Sequence, residues 1–221
     1  MIEEIKRPRV LVNFLQDFSG SMESGWTETS SGFKTFVNTL KAKEDVEYVF
    51  SLTLFSTYIQ KLVVARPIRE VDGELLQRLR PSGGTALCDA FGGIITESKK
   101  DSFEADKIVY VIVTDGEENS STMWTKEAVH ALVDAEISAG KSTFQYLGAQ
   151  PESWSDSAQI GIAAHDTVLY DSHNVGAMYR CVGAALNNFS SSHLSATTSM
   201  TRSFADDNLI KEAGLKFNDQ T

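Results

Sequence analysis

Val10-Leu11-Val12-Asn13-Phe14-Leu15-Gln16-Asp17-Phe18-Ser19-Gly20-Ser21 carries a short apolar run straight into an Asp-x-Ser-x-Ser. An apolar run of this length, bounded by turn residues, reads as a buried strand. The carboxylate and the two hydroxyls alternate at its end, so Asp17, Ser19 and Ser21 offer three oxygens in one place. Hard divalent cations of the Mg2+ class bind such oxygens and keep several positions for water or outside ligands. A site built for binding is therefore expected where this strand ends.

Two later stretches supply the residue types that the first lacks. Ser82-Gly83-Gly84-Thr85-Ala86-Leu87 is a glycine-rich turn that ends in a hydroxyl, and Val109-Tyr110-Val111-Ile112-Val113-Thr114-Asp115-Gly116 is an apolar strand that ends in Asp-Gly. Each piece alone is common as capping or turn chemistry. In this order they resemble the three-part signature of the von Willebrand factor A domain, over roughly residues 8 to 190.

The resemblance implies an α/β fold: a doubly wound, mostly parallel central sheet with helices on both faces and one antiparallel edge strand. It also implies a metal-ion-dependent adhesion site made by three loops at the top of the sheet. Carried over position by position, it assigns Asp17, Ser19 and Ser21 to the first loop, Thr85 to the second and Asp115 to the third, and none departs from the pattern. It further implies binding rather than turnover, with no catalytic residues, and a likeness to compact stand-alone members from bacteria and phages.

The ligand set has its own logic. Three hydroxyls are neutral, so two carboxylates at most offset a dication, which stays electrophilic and takes a Glu or Asp carboxylate from a protein partner. Mg2+ is the expected ion, with Mn2+ and Ca2+ as alternatives, although a calcium buffer wants more carboxylates. A metal-assisted phosphohydrolase using the same five ligands, or a self-assembling component with the site between copies, are the competing functions.

A chain of 221 residues with 42% apolar content can bury one full core. Its net charge of −10 excludes nucleic acid and anionic membrane as main partners, since phosphate binding needs clustered Lys and Arg. Cys88 and Cys181 are too few for a disulfide framework. The charged start, Met1 to Pro8, is unlike a signal peptide, so a cytoplasmic protein is expected.

Strand and helix patterns alternate, as in an open parallel sheet covered on both faces. Strands are expected over 9–16, 46–57, 58–65, 107–114, 142–148 and 167–170. Helices are expected over 25–42, 72–79, 85–98, 125–139, 151–162 and 174–189. Residues 1–190 form the domain. Residues 191–221 read as a polar linker and a short amphipathic tail, able to dock on another copy and make a homo-oligomer.

Ala135-Glu136-Ile137-Ser138-Ala139-Gly140-Lys141-Ser142 imitates a phosphate loop, but a helix precedes it and a strand follows, the reverse of what phosphate binding requires. The four histidines have no metal-like spacing. In the acidic loop after Asp115, Glu117 and Glu118 are expected to repel a partner's carboxylate until metal binds. Met123 and Trp124 are expected as apolar rim contacts, or Trp124 as a staple on the next helix.

Overall fold

Eight of the nine residues of β1 (Arg9–Asp17) are buried, as a strand covered on both faces demands, and β1 lies in the middle of the sheet. The structure is a computed structural model that describes residues 7–98, 104–192, 195 and 198–218. After β1 come α1 (Trp26–Lys41), β2 (Glu47–Phe55), β3 (Ile59–Pro67), α2 (Leu87–Ser98), β4 (Lys107–Thr114), α3 (Lys126–Ala139) and β5 (Ser142–Gly148). The chain continues through α4 (Ser153–Gln159), β6 (Thr167–Leu169), α5 (Val175–Ser191), α6 (Asp207–Glu212) and β7 (Lys216–Phe217).

The seven strands lie in the order β3-β2-β1-β4-β5-β6-β7. β3 runs antiparallel to β2, the two-residue β7 runs antiparallel to β6, and all other neighbours are parallel. This is a doubly wound, mostly parallel α/β sheet with an antiparallel edge. The order reverses between β1 and β4, and ligands of such sheets collect beyond the carboxyl ends at that reversal. Asp17 ends β1 and Asp115 follows β4, so both stand there.

Alternation along the strands divides the core. Val10, Val12 and Phe14 meet α1 and α5 on one face, while Leu15, Phe55, Tyr110, Ile112 and Phe144 meet α2 and α3 on the other. Phe14 lies 5.0 Å from Phe36 and 6.1 Å from Tyr179 between ring centroids, so aromatic packing locks α1 and α5 to the sheet. At Gly32 the two helices nearly touch: a methyl there would stand 2.4 Å from Tyr179 Cδ2. Gly32→Ala is expected to destabilise the fold by about 1–2 kcal/mol in urea unfolding, since overpacking outweighs the gain in helix propensity.

Residues 72–79 do not form the expected helix. They make a series of tight turns, with Leu75 N donating to Asp72 O and Leu79 N to Leu76 O at 3.4 and 3.1 Å. Tertiary contacts hold the segment flat: the Trp26 indole donates to Leu76 O at 3.0 Å, and a methyl at Gly73 would lie 3.3 Å from Lys34 Cα.

The segment read as linker and tail also differs from expectation. Of its described residues, Met200 and Ala213 are fully buried, α6 packs on α5, and β7 extends the sheet. Thr143 and Gln145 are buried polar side chains of β5 that need partners; Thr143 donates to Thr198 O at 3.2 Å and Thr201 donates to Gln145 Oε1 at 3.1 Å. The hydroxyl-rich composition thus serves burial. Leu215 is buried, and Phe204, Leu209, Ile210 and Phe217 are partly buried against the core of the same chain. No helix of the described residues is long and apolar enough to cross a membrane.

Candidate metal centre

Asp17 is fully buried where β1 ends. Its Oδ1 accepts the Ser19 backbone N–H at 2.7 Å and its Oδ2 accepts the Thr114 hydroxyl at 2.6 Å. A tight turn over Gly20–Gly25 then carries Ser21 back toward β4. Ser21 donates to Asp115 Oδ1 at 2.6 Å, which leaves Ser19 as donor in the 3.0 Å contact between the two serine hydroxyls.

The second loop is fastened to both others. Ser82 N donates to Phe18 O and Gly20 N to Gly83 O, each at 3.0 Å, which joins it to the first. Gly83 has φ +88°, a conformation that costs glycine little, and a side chain there would strike Thr57 Oγ1. Thr85 O accepts Asn119 N and Ser120 N at 3.0 and 3.2 Å, and Thr85 N donates to Asn119 Oδ1 at 2.9 Å, which joins it to the third. A methyl placed on Gly116 would stand 3.3 Å from Thr85 Oγ1, 3.8 Å from Ser21 Oγ and 3.9 Å from Asp17 Oδ2. Oxygens of the first and second loops therefore meet beside Gly116 of the third, and Asp115 joins them through its bond from Ser21. Asp17, Ser19, Ser21, Thr85 and Asp115 are brought together.

These donors suit a hard cation. Burial pushes Asp17 up to about 6 despite the hydrogen bonds from Thr114 and Ser19, and the charge of Asp115 adds to the rise. Burial likewise raises Asp115. One buried and one half-buried carboxylate, both raised by desolvation beside three hydroxyls, are short of positive charge. No group of three or more His, Cys, Asp or Glu that could hold a metal occurs among the described residues, so a cation here depends on the hydroxyls.

Glu118 does not stand guard at the rim. Its Oε1 accepts Ser120 N and Ser121 N at 2.9 and 2.8 Å, and its Oε2 accepts Cys88 N and Ser121 Oγ, each at 2.7 Å. Burial works against ionisation, yet these donors hold the carboxyl below its ordinary range. Asp89, in the first turn of α2, answers from the other side: Oδ2 accepts Thr122 N at 2.9 Å, and Oδ1 accepts Met123 N and Trp124 N at 2.9 and 2.7 Å. Nothing local in the sequence marks Asp89, Thr114 or Asn119 for these roles. Trp124 packs on α2 over Gly92, whereas Met123 is 73% exposed. Tyr58, beside the Thr57 that accepts Gly84 N, is 76% exposed, so Tyr58 and Met123 are the apolar side chains displayed by the loops.

Gly140 caps α3 with φ 79° and β5 follows, so the imitation phosphate loop is a helix end. His130, His165 and His173 each lie beside an aspartate, and His193 falls outside the described residues.

No protein-family model and no curated protein matches the sequence. Solved structures do share the fold. Proximal thread matrix protein 1 from the mussel byssus, in a form with a zinc-occupied metal-ion-dependent adhesion motif, aligns with TM-score 0.57 and 15% identity over 80% of this chain and 45% of that one. A von Willebrand factor type A protein from Catenulispora acidiphila aligns with TM-score 0.56 and 15% identity over 82% and 43%. The pilus adhesin SpaC from Lactobacillus rhamnosus GG, in its open conformation, gives 0.67 and 13% over 84% and 31%. The chain spans less than half the length of each. The likeness establishes a von Willebrand factor A-like fold.

Proposed function

We propose that the protein is a metal-dependent protein-binding module whose metal-ion-dependent adhesion site is made of Asp17, Ser19, Ser21, Thr85 and Asp115. Mg2+ is the ion proposed, with Mn2+ or Ca2+ as alternatives, and the partner presents Glu or Asp. The observation that carries this reading is the gathering of Asp17, Ser21 and Thr85 oxygens beside Gly116, with Asp115 bonded to Ser21. When bound, the cation supplies an electrophilic centre for an outside carboxylate. The chain's own part is to hold five oxygens in place through the hydrogen bonds between loops.

Adhesins and a matrix protein among the structural neighbours favour binding over turnover. Two buried, unpaired cysteines favour a cytoplasmic setting for the same proposal.

Calorimetric titration with MgCl2 or MnCl2 tests the site. One equivalent is expected to bind the wild type, and Asp115→Ala to weaken it at least about tenfold, the scale on which metal sites answer to lost support. A wild type that takes up neither ion at millimolar concentration would overturn the proposal.

A further inference from the structure

β3 closes the sheet on one side, and its register against β2 slips twice. Lys61 faces Thr53 and Val63 faces Leu52, which leaves Leu62 as an extra residue. Arg66 then faces Phe50, so Val64 and Ala65 together stand opposite Ser51. Ala65 holds this second bulge with φ 44°, a left-handed conformation that suits glycine better, and its N–H donates to Ser51 Oγ at 3.0 Å. Bulges re-aim side chains, and here Val64 is left 56% exposed. They also break the outward row of backbone groups, so this edge is a poor template for an added strand.

Beside Val64 lies a groove of about 440 Å³ between β3 and the turns that follow it. Leu62, Val71 and Leu75 give it an apolar floor, Arg66 and Glu70 stand at its rim, and no residue of the three metal-site loops lines it. Arg66 and Glu70 are both exposed, and neither makes an ion pair or a side-chain hydrogen bond with a described residue. Residues 66 to 72 set Arg66 and Arg69 against Glu70 and Asp72, a balanced stretch in a chain of net charge −10.

A second copy of this chain is the occupant that such a face fits. Contact about a two-fold axis lays one patch on its own image, so that each residue meets its counterpart's neighbour reciprocally. A patch of one sign would repel that image, as an acidic surface in general does, whereas unpaired charges of both signs satisfy each other. We infer that the chain pairs with a second copy through this groove, Arg66 of each copy meeting Glu70 of the other while the two Val64 side chains cover the apolar floor. The contact is small, so the dimer is weak and depends on concentration. It leaves the metal-site loops of both copies free. On the metal-dependent reading above, two linked sites would hold a multivalent partner more tightly than one.

Sedimentation equilibrium in EDTA at up to about 0.5 mM protein, a range suited to small interfaces, tests the pairing apart from the metal site. The wild type and Asp115→Ala are expected to dimerise alike, so failure of the metal site would leave the pairing standing. Arg66→Glu and Glu70→Arg, both at exposed positions, are each expected to dimerise about tenfold more weakly, since symmetry turns two attractive pairs into two repulsive ones. Mixed in equal amounts, the two variants are expected to associate with close to the wild-type affinity, because each supplies the sign the other has lost. A wild type that stays monomeric would overturn the inference and leave the groove to a different protein. Variants that dimerise as well as the wild type, or a mixture no stronger than its components, would place the contact elsewhere and overturn it too.

Discussion

Asp17→Asn is expected to raise the melting temperature of the chelated protein at pH 7.5 and to abolish the stabilisation that Mg2+ gives the wild type. Asp17 is fully buried, and its pKa rises from 3.8 to about 6, so its charge costs the metal-free fold about 3 kcal/mol at neutral pH. Asparagine removes the charge and keeps the shape. Its oxygen still accepts Ser19 N, while the Thr114 hydroxyl can accept from the new amide and turn its own hydrogen to Gly116 O, 3.1 Å away.

For a chain of this size about 3 kcal/mol corresponds to roughly 6–12 °C. Because the native state holds the proton more tightly than the unfolded chain, the wild-type penalty is complete above about pH 6 and fades as pH falls toward 3.8. Melting curves in EDTA from pH 7.5 to 5 should therefore converge. In Mg2+ at a hundred times its dissociation constant the wild type alone gains about 2.7 kcal/mol and nearly closes the gap, and at a thousand times, with about 4.1 kcal/mol, the order reverses. A chelated variant that melts no higher than the wild type at pH 7.5 would show that Asp17 is not the strained, cation-deficient group described here.

Asp17, Ser19 and Ser21 were legible as one oxygen-rich turn because their spacing is local, whereas Thr85 and Asp115, far away in sequence, were implied only by the resemblance. β1 and β4 were equally plain, as unbroken apolar runs covered on both faces. What escaped was set by contacts distant in sequence. Residues 72–79 have helical periodicity, but Trp26 takes the Leu76 carbonyl and Gly73 is pressed on α1. The hydroxyl-rich stretch after Ser191 looks like a linker until the buried Thr143 and Gln145 of β5 are seen to need its partners. Glu118 looks like a rim charge because exposure is the usual state of glutamate, and only the folded loop shows four donors pointing at it. In each case a polar or backbone group was claimed by a partner that sequence spacing does not reveal.

The same distant pairing makes Asp89 and Glu118 the sites of the second large effect. Asp89 reaches from α2 to three N–H groups of the loop that bears Asp115, and Glu118 reaches from that loop back to the start of α2, just after Thr85. Ser121 joins them, since its hydroxyl accepts Asp89 N at 3.0 Å and donates to Glu118 at 2.7 Å. Asp89→Ala removes a buried carboxylate and leaves three amides of a half-exposed loop without their acceptor, so a loss of about 2–4 kcal/mol is expected in urea unfolding. Glu118→Ala, at a half-buried site, should cost about 2–4 kcal/mol. Because both act on one network through Ser121, the double variant should fall short of the sum by about 1 kcal/mol or more. The clamp also fixes Thr85 relative to Asp115, so Mg2+ affinity of each single variant, measured where it remains folded, should drop about 10–100-fold. A variant that loses stability while binding Mg2+ as tightly as the wild type would confine the clamp to the fold, because a loop free to drift cannot hold its oxygen against the other four.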